Sequence, residues 1–290
     1  NNFQEIGLDP GFRITDETER AILREEACEE ALEESYTYDD PDFISLVDSY
    51  GGKKDDKFLA DLVLFLHNFM TSNPWPIKWL DEKIELFNLE GKDLMDLPLL
   101  KNLVDDILSS LKSFQEPLEE ALQVARGDEF IKGYEEALMS DIQIYMDFEE
   151  LLNKKPSFNQ VRDFLQGVSW KALSRAKKGY DPNIADEVKN ARKDFKDFFK
   201  ALTERYFLET EEENCKIINE TYPKLKALGK LTKLFMSKYE EKKQEKNLLD
   251  FSDLEHLALK ILTVEEDGLI TASSIAKAYK KKYTEVLVDE

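Results

Sequence analysis

Apolar residues recur three and four positions apart along almost the whole chain, and the stretches that carry this spacing are cut at Pro, Gly and Asn. That period belongs to the α-helix, since a strand alternates every two residues. Asp16 stands three residues before Glu19, the spacing of a capping box, and Leu23, Ala27, Cys28, Ala31 and Leu32 then line one face opposite a row of glutamates. Asp40-Pro41 opens a short helix through Phe43, Leu46 and Val47 that Gly51-Gly52 stops. Leu59, Leu62, Val63, Leu66 and Met70 form the next stripe, and Pro76 starts a helix holding Trp79, Ile84 and Phe87. Leu99 to Leu111 make a further apolar face, which Pro117 is expected to kink or interrupt because it lacks a backbone donor.

The pattern continues beyond Gly127-Asp128. It predicts helices over 129–153, 158–167, from Ile184 to about Thr210, from Glu212 to about Lys243, over 252–262 and from Ala272 to Lys282. Lys177 to Asn183 reads as a loop, as do the residues around Asp267-Gly268. Only Glu285-Val286-Leu287-Val288 reads as a strand, a β-branched run too short for helical periodicity. The expected fold is therefore mainly α, with a single β-strand at the C-terminus that has no neighbour to pair with and is expected to fray or to dock non-natively.

Charge divides the chain. Residues 1–150 hold 37 acidic and 13 basic side chains, and residues 151–290 hold 24 and 27. The first half would repel phosphate, so any polyanion belongs on the second. Cys28 and Cys215 suggest neither a disulfide framework nor a thiol metal site, and two histidines without a Cys cluster do not suggest zinc. No run of eighteen apolar residues and no charged-then-apolar leader is present, so the reading is a cytoplasmic protein with no membrane contact.

Four apolar residues followed by Asp289-Glu290 have the form of a Walker B element, in which the strand aims an Asp at a nucleotide's Mg²⁺ and a Glu at the attacking water. Upstream stands Leu249-Asp250-Phe251-Ser252-Asp253-Leu254, which resembles the LDFxDL block ahead of Walker B in superfamily 1A DNA helicases of the UvrD/Rep/RecB type. Three further blocks resemble the AddA subunits of bacterial AddAB helicase–nucleases. They are Leu8-Asp9-Pro10-Gly11-Phe12-Arg13-Ile14-Thr15-Asp16-Glu17-Thr18-Glu19, Phe43 to Gly52, and Ser72-Asn73-Pro74-Trp75-Pro76 with Trp79-Leu80. Roughly 90–235 carries no matching motif.

The resemblance implies a piece of the first motor domain: residues 1–15 as a link from the motor core, 16–246 as a helical insert of the 1B kind, and 247–290 as the return into the RecA-like core. In the parent enzyme it implies ATP and Mg²⁺ as cofactors, with Asp289 as the Mg²⁺ ligand and Glu290 as the catalytic carboxylate. It also implies DNA, single-stranded or forked, as substrate in break repair, and, as partner, a second AddB-like subunit. The chain has no G-x-x-x-x-G-K-[ST] phosphate loop; Gly91-Lys92 and Gly229-Lys230 lack its leading glycines. Alone, the chain is therefore expected to hydrolyse nothing. The insert's expected part is DNA contact, which needs a basic face with aromatic side chains. Trp170 to Tyr180 is the first candidate, with Lys171, Arg175 and Lys178 on one helix face beside Lys177 and an exposed Tyr180; Lys224, Lys226, Lys230, Lys233 and Lys238 are the second. The competing reading is a stand-alone acidic helical module that binds another protein.

Overall fold

The computed structural model describes residues 11–52, 55–266 and 269–287, without the side chain of Glu266. It is mainly helical. In chain order the elements are β1 (Arg13–Ile14), α1 (Glu17–Thr37), α2 (Pro41–Tyr50), α3 (Lys57–Thr71), α4 (Pro76–Glu85), α5 (Pro98–Lys112), α6 (Gln115–Gly127), α7 (Glu135–Asn153) and α8 (Phe158–Gly167). There follow α9 (Pro182–Tyr206), α10 (Glu211–Glu245), β2 (Leu248–Leu249), α11 (Phe251–Leu262), β3 (Thr263–Glu266), β4 (Leu269–Ala272) and α12 (Ser274–Lys282). None of these helices is long and apolar enough to cross a membrane.

Local chemistry places most of the ends. Asp16 accepts from the Glu19 backbone as the cap of α1, but the Glu19 carboxylate is held by the two terminal guanidinium nitrogens of Arg13, at 2.7 and 2.6 Å, instead of closing a capping box. The break near Pro117 falls earlier than expected, at Ser113-Phe114, and Pro117 sits in the first turn of α6, where its missing N–H has no intrahelical partner to lose. A complete capping box from Ser157 and Gln160 opens α8.

The residues form two compact units, Asn1–Glu85 with Thr221–Glu290, and Leu86–Glu220. In the first, α1, α2, α3 and the later part of α10 bury Leu23, Ala27, Leu59, Val63, Leu231 and Phe235. Gly229 on α10 allows a close approach: a Cβ there would lie 2.4 Å from Ile84 Cδ1. In the second unit, α5, α7, α8 and α9 enclose Leu111, Phe148, Val161, Phe195 and Phe199, and α6 packs on α7 and α9 through Ala125, Leu138, Ala185 and Val188.

The strands depart from the expectation. β1 and β2 pair in parallel, Arg13 with Leu248 and Ile14 with Leu249. β3 and β4 form an antiparallel hairpin whose innermost pair is Glu266 with Leu269, so only Asp267-Gly268 separates the two strands. By contrast, Glu285, Val286 and Leu287 form no strand and Leu287 is 91% exposed. A lone apolar strand has no ladder to join, so its backbone stays with solvent. Val288, Asp289 and Glu290 lie outside the described residues.

Candidate nucleic-acid interface

The basic segment from Trp170 to Tyr180 is not helical. Residues 168–181 run as an irregular strap that leaves α8 after Gly167 and turns at Lys178-Gly179 into the cap of α9. The apolar residues Trp170, Leu173 and Ala176 mimic helical spacing, but each is taken by a tertiary contact. Trp170 meets Phe195 and Phe199 edge-on at 5.7 and 5.5 Å, while Leu173 and Ala176 pack on the cluster around Ala125 and Val188. The strap's backbone is satisfied from outside it. The Lys177 amide donates to the Phe130 carbonyl at 2.9 Å, and Arg192 donates to the Lys171 carbonyl. Once these long-range bonds exist, local helix propensity is overridden.

The cations therefore do not share a helix face. Lys171 is tied to Glu136 at 2.7 Å, which holds that carboxyl below its usual range. Arg175, Lys177 and Lys178 are exposed, and no described carboxylate pairs with them. Tyr180 is half-buried against the same apolar cluster, with the Lys189 ammonium 5.8 Å from its ring centre, and not exposed as the sequence suggested. Gly179 takes φ +98°, which an L side chain rarely adopts, and so turns the chain between Lys178 and Tyr180.

The second basic candidate is largely neutralised. Lys230 pairs with Asp40 at 2.9 Å, Lys233 with Asp81 at 2.5 Å and Lys238 with Glu34 at 2.8 Å, while Lys226 lies over the Tyr222 ring. These lysines tie α10 to the acidic helices of its own unit. The Gly-Lys pairs fare likewise: Gly229 is packed inside a helix, Lys230 is paired, and Lys92 donates to the Asn88 carbonyl. Neither pair forms a loop that could cradle a triphosphate. Among the described residues no His, Cys, Asp and Glu group could hold a metal ion.

The Leu249–Leu254 block centres on a polar knot at Asp250 and Asp253, while Phe251 and Leu254 are exposed. Asp250 and Asp253 form a reciprocal capping box at the start of α11. Lys243, from the last turn of α10, reaches Asp253 at 2.5 Å and Asp250 at 3.7 Å, and the Tyr239 hydroxyl donates to Asp250 at 3.1 Å. Burial pulls the Lys243 ammonium down, but the two carboxylates outweigh it and its pKa stands above the ordinary value. His67, edge-on to Phe235 and Tyr239, is buried with its Nδ1 unpartnered; burial, assisted by Arg24 and Lys243, pushes it down to about 4. His256 Nε2 lies 2.9 Å from the Thr71 carbonyl.

No residue of α11 is buried and Leu254 is exposed. Trp75 is exposed, whereas Trp79 is half-buried against Phe69 at 5.4 Å.

The mainly helical fold keeps in place the 249–254 block on which the resemblance to superfamily 1A helicases rests. Residues 1–290 match the UvrD/REP helicase N-terminal domain, and the chain belongs to that family. It is 36% identical over 294 residues to the AddA subunit of the ATP-dependent helicase/nuclease from Acetivibrio thermocellus, covering 100% of this chain and 24% of that protein. The corresponding figures for the same subunit are 37% identity, 100% and 24% in Thermoanaerobacter pseudethanolicus, and 33%, 98% and 23% in Bacillus cereus. The chain thus spans about a quarter of the length of the curated relatives it matches.

Proposed function

We propose that the chain is the part of an ATP-dependent DNA helicase/nuclease subunit that carries the helical insert of its first motor domain, and that this insert contacts DNA during break repair. The observation that carries the reading is the parallel pairing of Arg13–Ile14 with Leu248–Leu249. It brings together the two ends of residues 16–246, as expected of an excursion that leaves a motor core and returns to it. The relatives' name supports the activity of the whole enzyme. Residues 1–15 and 247–290 are then the stubs of that core, and the exposed apolar side of α11 is the surface the rest of the core covers.

In the whole enzyme Asp289 would hold the Mg²⁺ of ATP and Glu290 would activate the attacking water. The described residues supply no phosphate cradle, so no step through nucleotide is assigned to this chain, which alone is expected to be inactive. Its contribution is positional. Arg175, Lys177 and Lys178 offer unpaired charge to phosphate on a strap whose backbone is fixed by Arg192 and Phe130. The acidic first half repels phosphate and suits a second, AddB-like subunit.

The test is fluorescence anisotropy with labelled forked DNA across a salt series. Arg175→Glu with Lys178→Glu is expected to weaken binding about tenfold or more and to flatten its salt dependence. Binding unchanged by that pair rejects the strap as the DNA surface.

A further inference from the structure

Helix α3 is apolar on two sides. Leu59, Val63 and Met70 are buried along the side that meets the core, yet Phe58, Leu62, Phe65 and Phe69 stand at three- and four-residue spacing along another. Leu62 is half-buried, while Phe58, Phe65 and Phe69 are 59%, 66% and 56% exposed. The row continues past both ends of the helix. Tyr50 lies parallel to Phe58 at 6.4 Å, and Phe69 meets Phe65 at 6.4 Å and Trp79 at 5.4 Å. Single apolar residues on a surface are ordinary, but a helix apolar on both sides belongs in an interior. Beside the row lies acid. Asp61, one turn from both Phe58 and Phe65, is exposed with no described cation paired to it, and so are Glu25, Glu29 and Glu33 on α1. Glu29 and Asp61 share one neighbourhood: burial pushes the Cys28 thiol up to about 11, and both carboxylates add to that rise. The segment from Glu17 to Asp61 holds fifteen acidic side chains and five basic ones, so the field is wider than one pair.

We propose that this row is a docking surface for a basic amphipathic helix of another polypeptide. Aromatic rings in solvent require an apolar cover, and the acid beside them decides which one. Nucleic acid and anionic lipid carry phosphate and are repelled, and a second copy of a chain of net charge −21 brings the same acid to the contact. A helix with large apolar side chains three and four residues apart, and lysines or arginines along one edge, satisfies both demands. Its anchors pack between Phe58, Phe65 and Phe69, and its cations meet Asp61 and Glu29. Phe58 to Phe69 spans about 16 Å of helix, so about three turns of the partner are engaged. The surface lies on a different unit from the strap at Arg175, so it goes beyond the DNA contact proposed above and each can fail without the other. It stands wherever a second subunit of the enzyme docks.

The probe is a labelled Lys/Leu amphipathic helix of about five turns, titrated with the 290-residue chain by anisotropy at several salt concentrations, beside the same peptide with every Lys replaced by Glu. The Lys/Leu peptide is expected to bind, and the Glu/Leu peptide to bind about tenfold or more weakly. Phe65→Ala with Phe69→Ala changes no charge; it is expected to raise Kd about tenfold or more with the salt dependence kept. Glu29→Lys with Asp61→Lys is expected to raise it about fivefold or more and to weaken the salt dependence. All four side chains are exposed, and circular dichroism should show both variants folded. Arg175→Glu with Lys178→Glu should leave peptide binding as it is, which separates this surface from the strap. Four results would overturn the proposal. They are no binding of the Lys/Leu peptide; Kd unchanged in both variants; a dimer in sedimentation velocity that Phe65→Ala with Phe69→Ala dissolves, which gives the row to a second copy; or hydroxyl-radical labelling of Phe58, Phe65 and Phe69 already lost in the full-length gene product alone, which gives it to the rest of the same polypeptide.

Discussion

Arg192 and Asp141 face each other inside the second unit, 5% and 0% exposed, and the same guanidinium that holds the carboxylate also donates to the Lys171 carbonyl. One buried cation thus joins α7, α9 and the basic strap. Burial lifts the Asp141 carboxyl above its usual range against the pull of Arg192. Removing one partner strands the other away from water. Arg192→Met is expected to cost about 3–5 kcal/mol, and Arg192→Met with Asp141→Leu distinctly less than the sum of the two single changes. Urea unfolding followed by circular dichroism measures both, and additive losses would contradict the pairing.

Gly133 tests where the strap lies. A Cβ at that position would come within 2.2 Å of Ser174 Oγ and 3.2 Å of its Cβ, so the residue beside Arg175 must move when alanine is introduced. Gly133→Ala is expected to lose about 1–3 kcal/mol by overpacking, and adding Ser174→Ala, which removes the nearest atom, should recover part of it. Equal stability of the two variants would place Ser174 elsewhere.

His67 makes stability depend on pH with a definite sign. Its folded pKa of about 4 is below the unfolded value near 6.5, so the unfolded chain takes up the proton first. The stabilisation tied to neutral His67 is complete above pH 6.5 and is lost as pH falls towards 4. The loss approaches about 3 kcal/mol by this group alone. Unfolding midpoints measured from pH 7.5 to 4 should fall more steeply in the parent than in His67→Phe; parallel curves would show that the imidazole titrates normally.

Where helices lie was readable because each segment carries its own period and its own stop, as with Asp40-Pro41 before α2 and Gly51 after it. The errors fall where distant residues decide. Nothing near Trp170 announces that Arg192 and Phe130 will bind the strap's backbone, so its three-residue apolar spacing passed for a helix. β1 and β2 are two residues each, too short for any periodicity, and exist only because they meet. The β3–β4 hairpin did carry a local signal, β-branched residues on both sides of Asp267-Gly268. The lysines of α12 were plain in the sequence, but only the structure separates them, without a described carboxylate partner, from the lysines of α10 that are engaged.

The last prediction concerns Lys243, which joins the end of α10 to the start of α11 through Asp253 and Asp250. Without the ammonium, two carboxylates remain close together in a buried place, where one at least is driven to take a proton. At pH 7 Lys243→Met is expected to lose about 3–5 kcal/mol. Burial already holds Asp253 above its usual range, and losing Lys243 raises it further. Because the folded variant then binds a proton more readily than the unfolded one, its deficit relative to the parent shrinks as pH falls from 7 towards 4.5. Because Lys243 also helps hold His67 down, the comparison is made with His67→Phe in both proteins, which removes that titration from the difference. Urea midpoints of parent and variant at the two pH values decide the matter. A deficit that is the same at both would mean that the methionine's shape, and not the unpaired acid, sets the cost.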